Sequence, residues 1–82
     1  MNIVQQFKYT NDSGTDLRLV VEPWADQFVL HPGQQVDILV YGDVTGIVEF
    51  EQASDRFVVH SYDGSIIHVM SDGKELPPSD QI

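Results

Sequence analysis

The sequence predicts an all-β fold: a single-domain antiparallel β-sandwich of about seven strands, or a partly open barrel. Three observations lead there. Apolar residues recur with a period of two in short segments, turn-forming Gly, Pro, Asn and Asp interrupt those segments about every eight to twelve residues, and no stretch carries a helical period. The clearest piece is the run from Asp16 to Tyr41, where two alternating segments flank a Pro-Trp corner, a short apolar segment and a Pro-Gly corner.

Bulk properties set limits on function. At 82 residues the chain suffices for one modest core, expected over residues 1–76, with 77–82 as a flexible tail because tandem prolines offer no ladder donors. Cysteine is absent, so neither disulfides nor thiolate-metal chemistry is available, and no cofactor is expected. Thirteen acids against four bases give a net charge of -9, which repels nucleic acid and anionic lipid and favours a cationic protein partner. The first residues lack a basic start and an apolar core of the secretory type, and no apolar run approaches membrane-spanning length, so a cytoplasmic protein is expected.

In chain order, Ile3, Phe7 and Tyr9 alternate with Val4, Lys8 and Thr10 in a first strand. Asn11-Asp12-Ser13-Gly14-Thr15 then reads as a hairpin loop. A second strand over 16–22 directs Leu17, Leu19 and Val21 inward, with Arg18, Val20 and Glu22 outward. Pro23 ends it, and Trp24 is expected to cover the open end of the sandwich as a plug; its alternative role is a stacking platform for a sugar, base or peptide. The third strand, 27–31, sets Phe28 and Leu30 against Val29 and His31, and Pro32-Gly33 predicts a type II turn.

Over 35–41 the alternation is strongest, with Val36, Ile38 and Val40 inward and Asp37, Leu39 and Tyr41 outward. The glycine-bracketed segment 42–46 predicts a hairpin to 47–52, facing Val40 to Val48 and Ile38 to Phe50. That register sets Asp37 beside Glu51 and Leu39 beside Glu49. Ala53-Ser54-Asp55 turns the chain into a sixth strand, 56–61, and Tyr62-Asp63-Gly64 leads into a seventh, 65–71. Two registers fit this last hairpin: one pairs Phe57 with Val69 and Val59 with Ile67, the other Val58 with Val69 and His60 with Ile67. Asp72-Gly73 turns again, leaving Lys74-Glu75-Leu76 to pair briefly.

Asp37, Glu49 and Glu51 would form an acidic cluster whose repulsion a partner cation, a Ca²⁺ ion, or Lys8 or Arg18 could offset. His31, His60 and His68 are the only imidazoles, and no catalytic triad, phosphate loop or closed set of metal ligands is legible. Val20, Val29, Leu39, Tyr41, Val58 and Ile66 fall on nominally outer faces, and any that are contiguous and exposed mark an interface. Self-association through edge strands is a second expected use of such surfaces.

The run Val21-Glu22-Pro23-Trp24, followed by Leu30, Pro32-Gly33 and Val36, resembles a pattern in small uncharacterised bacterial proteins, an E-P-W corner followed by an L-x-P-G turn and an apolar strand. Those proteins often carry glycine after the tryptophan, where this chain has Ala25. The resemblance implies a bacterial source and an all-β domain, and no activity. The turn is also similar to that of cupredoxin-like sandwiches, in turn chemistry alone.

The functional expectation is a non-catalytic interaction module that meets a protein partner through Asp37, Leu39, Tyr41, Glu49, Glu51 and Trp24. One alternative is a small-ligand or metal-dependent enzyme using the same carboxylates with His60 and His68. The other is an acidic inhibitor or nucleic-acid mimic.

Overall fold

The computed structural model describes residues 2–78. Eight strands are present: β1 (Asn2–Thr10), β2 (Leu17–Glu22), β3 (Asp26–Leu30), β4 (Gln35–Gly42), β5 (Glu49–Gln52), β6 (Arg56–His60), β7 (Ser65–Ser71) and β8 (Lys74–Glu75). They form two four-stranded sheets, a first in the order β1-β4-β7-β8 and a second in the order β3-β2-β6-β5. The all-β sandwich is as the sequence predicts. Every pairing is antiparallel except β2 with β6, which run parallel and align Leu19 with Phe57 and Val21 with Val59.

Three expected hairpins are not formed. β1 pairs with β4 and not β2, β5 pairs with β6 and not β4, and β6 and β7 lie in different sheets, so neither register considered for residues 56–71 exists. The physical reason is that glycine and short polar residues reverse a chain equally well within a sheet and between sheets. Stacking two apolar faces buries both, whereas pairing them side by side leaves the combined face still to be covered. The intervening segments are therefore sandwich crossings. True hairpins occur at β2–β3, β5–β6 and β7–β8.

Local turn chemistry was otherwise legible. Gly33 has a φ of 82° and the Gln34 N–H donates to the His31 carbonyl at 3.0 Å, the type II arrangement expected at Pro32-Gly33. Asp72 and Gly73 both take positive φ, 52° and 79°, and close the β7–β8 hairpin in the primed turn that suits strand twist. β8 stops before Pro77 and Pro78, which have no N–H to offer; the rest of the expected tail, 79–82, lies outside the described residues.

The core is built from the inward rows the alternation marks: Leu17, Leu19 and Val21, Phe28 and Leu30, Val36, Ile38 and Val40, joined by Phe57, Val59 and Val69. An aromatic series links the edges of the two sheets, with Tyr9 stacked on Phe57 at 4.1 Å, Phe57 on Phe50 at 5.5 Å and Phe7 edge-on to Phe50 at 5.1 Å. Its cohesion is packing between sheets, which strand alternation alone does not specify.

One end of the sandwich is tied by Asn11, a fully buried polar residue. Its Nδ2 donates to the carbonyls of Thr15 at 2.8 Å and Leu30 at 2.9 Å, and its Oδ1 accepts from the Ser13 N–H and hydroxyl. Its backbone bridges to Gln34 and Gly33. The residue that reads as a loop breaker thus satisfies two crossings at once, and every polar atom of its amide has a partner.

The other end is closed by the crossing between β4 and β5. Tyr62 lies flat against Gly46, where a Cβ would stand 2.4 Å from the ring, and the Tyr62 hydroxyl donates to the Val44 carbonyl at 2.8 Å. Only glycine fits there. This crossing takes the role expected of Trp24, which is 44% exposed and plugs nothing. The corner carries a cis Glu22–Pro23 peptide and turns the indole outward, with Ala25 at a φ of 59°.

Candidate interaction surface

The outer face of the first sheet is set by cross-strand pairing in three rows. Ile3, Tyr41 and Ile66 form the first, Gln6, Leu39 and His68 the second, and Lys8, Asp37, Met70 and Glu75 the third. Strand alternation puts these residues outward while Val36, Ile38 and Val40 fill the core, except for Ile3, which alternation groups with Phe7 and Tyr9 and which a register shift between Ile3 and Gln5 turns to the outer face. Tyr41 and Leu39 are half-buried among their neighbours, and the Tyr41 ring meets His68 edge-on at 5.1 Å.

Polar side chains on this face contact one another across the strands. Lys8 Nζ donates to Asp37 Oδ1 at 2.9 Å, and His68 Nδ1 lies against the Glu75 carboxylate. The cation that offsets Asp37 is therefore Lys8 on the neighbouring strand. At this end of the face a polar cleft of about 440 Å³ opens between Lys8, Asp37 and Asp72.

At the opposite end the face runs into a smaller cleft of about 200 Å³ lined by Trp24, Asp26, Ile66, Ile67 and His68. Trp24 and Asp26 reach it from the second sheet. The strand edge beside it is open. β8 pairs with Met70 and Ser71 alone, and the Leu76 N–H donates to the Val69 carbonyl at 2.9 Å. Backbone groups alternate sides along an antiparallel strand, so Ile67 directs its N–H and C=O the same way as Val69, past the end of β8 and toward this cleft.

Four of the six nominated residues, Asp37, Leu39, Tyr41 and Trp24, thus belong to one continuous surface. Glu49 and Glu51 do not. They lie on β5, on the outer face of the second sheet, where Glu49 pairs across from His60 and Glu51 from Val58, so the expected contacts Asp37–Glu51 and Leu39–Glu49 are absent. His60 Nε2 stands 3.2 Å from Glu51 Oε1. The set proposed for an enzyme is split likewise, with Asp37 and His68 on one sheet and Glu49, Glu51 and His60 on the other. Among the described residues no group of three or more His, Asp or Glu side chains is arranged to hold a metal ion.

Ile3, Lys8, Asp26 and Met70 join the surface without having been singled out as site residues. Ile66 carried a signal, since β7 is apolar on both faces; Asp26 carried none, because its approach to β7 depends on how the sheets stack. Of the other outward apolar residues, Val29 is exposed, whereas Val20 and Val58 are buried on the second sheet. Among the described residues no helix is long and apolar enough to cross a membrane.

Fold and site together define a small two-sheet sandwich with an aromatic and aliphatic strip on one outer face. No family model matches the chain, and no curated protein or solved structure is significantly similar to it.

Proposed function

We propose that the protein is a non-catalytic binding module that lays the outer face of its first sheet, with the Trp24 cleft, against a protein partner presenting basic residues. The observation that carries this reading is the continuity of exposed apolar side chains across the face, with Ile3 49% exposed, Ile66 38% and Trp24 at the rim. Leu39 and Tyr41 form its half-buried centre. A basic side chain stacked on the Trp24 indole would gain about 0.5–1 kcal/mol from the ring, and Asp26 supplies the counter-charge beside it. The net charge of -9 would speed the encounter with such a partner.

The open backbone groups of Ile67 favour an extended segment of the partner, hydrogen-bonded along β7 with alternate side chains entering the cleft. We further infer a cytoplasmic setting, to which a cysteine-free chain is suited. The chain has one tryptophan, so its fluorescence reports on the cleft directly. A library of extended peptides varied in basic and aliphatic positions should shift Trp24 emission on binding. Ile66→Asp and Asp26→Asn should weaken the best peptide about tenfold, an effect of roughly 1.4 kcal/mol. If no basic peptide perturbs the emission, or if both variants bind as well as the parent, the reading is wrong.

A further inference from the structure

The second open edge of the first sheet lies at β1, on the side away from the Trp24 cleft. The Asn11 N–H donates to the Gln34 carbonyl at 2.9 Å, in register with Tyr9 opposite Val36 and Phe7 opposite Ile38. By alternation Phe7 and Tyr9 spend their backbone groups on β4, and Gln6, Lys8 and Thr10 direct theirs outward. β1 pairs with β4 alone among the described residues, so this row is unpartnered.

Edge strands invite pairing, and the charge pattern selects the partner. β3 carries Asp26, β5 carries Glu49 and Glu51, and β8 carries Glu75; the open stretch of β7 has no acid of its own but shares its cleft with Asp26, whereas β1 holds no acid and one lysine. Two copies of a chain with net charge -9 repel each other over roughly a Debye length, about 8 Å. The strand contact with least repulsion is the one that brings no carboxylate to the seam. Exposed apolar residues also collect beside this edge. Phe50, 43% exposed, packs edge-on against Phe7, and Gln5 Nε2 donates to the Gly46 carbonyl at 2.9 Å, which holds Ile47, 79% exposed, next to β1.

We propose that β1 pairs antiparallel with β1 of a second copy, joining the two first sheets into one continuous sheet. A two-fold axis at Phe7 sets Gln6 against Lys8 of the second copy, keeps the two lysines off the same pair, and brings the two Phe7–Phe50 clusters together. This self-association is independent of the peptide-binding reading, since it uses the opposite edge of the sheet.

Sedimentation equilibrium tests it. The parent chain should sediment as a dimer at micromolar concentration, and added salt should tighten the dimer as the net charges are screened. Gln6→Pro removes an N–H from the open edge and none from the β1–β4 ladder. It should give a folded monomer by circular dichroism, with the dimer dissociation constant raised at least about tenfold. Should that variant not fold, Gln6→Lys, which sets a lysine directly against Lys8 of the second copy, is expected to have the same effect. A parent that stays monomeric at high concentration and salt overturns the proposal. So does a dimer that survives the folded Gln6 variant and is broken by Leu39→Asp, which would locate the contact on the outer face.

Discussion

The two outer faces of this sandwich are built by the same alternation and differ in what flanks their apolar residues. On the second sheet, Val20 and Val58 are neighbours in a row bounded by Gln27 and Glu51, with Arg18, Val29 and Arg56 along one side and Glu22, His60 and Glu49 along the other. Both valines are only 8% exposed. The stems of long charged side chains cover them while the heads stay in water. On the first sheet the row through Tyr41 is apolar from Ile3 to Ile66 and has no long charged neighbour in that row, so it remains open. Whether an outward apolar residue becomes core or contact surface is decided by its cross-strand neighbours.

The sharpest way to break that comparison is to place the same charge on each face. Val58→Asp puts a carboxylate under its cover beside Glu51 and should lower unfolding stability by about 3 kcal/mol or more, read from the urea midpoint. Ile66→Asp, on the open face, should stay within about 0.5–1 kcal/mol of the parent. Equal losses at the two sites would mean that Ile66 is as integral to the fold as Val58. Both faces hang from the Asn11 tie, and Asn11→Ala, which strands the Thr15 and Leu30 carbonyls, should cost about 2–3 kcal/mol. Asn11→Asp should cost more, because a carboxylate accepts where those carbonyls need a donor.

At the corner that aims Trp24 outward, Ala25 holds a left-handed backbone at a φ of 59°. Ala25→Gly should stabilise the protein by about 0.5–1 kcal/mol, less than the full strain because glycine also loosens the unfolded chain. A destabilised variant would show that the corner demands the Ala methyl. The smallest expected effect is at alkaline pH. Burial of the Tyr9 ring, with a lesser push from the Asp12 carboxylate, raises its phenol above the ordinary 10.0. The folded state therefore holds this proton more tightly than the unfolded chain. Its contribution is fully present below the ordinary phenol range and is lost as pH rises through the raised value. Tyr9→Phe should flatten the alkaline end of a stability profile, and an unchanged profile would place the loss on another group.

Much of the site was legible residue by residue and little of it as an assembly. Leu39, Tyr41 and Asp37 are outward because Val36, Ile38 and Val40 are inward, and that inference needs only the period of two. Grouping them with Glu49 and Glu51 required knowing that β4 and β5 share a sheet, and they do not. The segment from Gly42 to Gly46 has residues suited to a hairpin, yet the contact that decides its path is the Tyr62 ring on Gly46, made from 16 positions further along the chain. Trp24 shows the same division. Its place at a corner follows from Pro23, while its exposure follows from another segment having already closed that end.

By itself the sequence determined where the chain is extended, the inward rows of β2, β3 and β4, the type II turn at Pro32-Gly33, the turn at Asp72-Gly73 and the acidic balance, because each rests on local stereochemistry or composition. Tertiary structure alone decided which strands pair, the parallel contact of β2 with β6, the burial of Asn11, and the meeting of Trp24 and Asp26 with β7. The reason is physical. A turn specifies that the chain changes direction, and the burial of apolar faces between stacked sheets, a property of the whole chain, selects where it goes next.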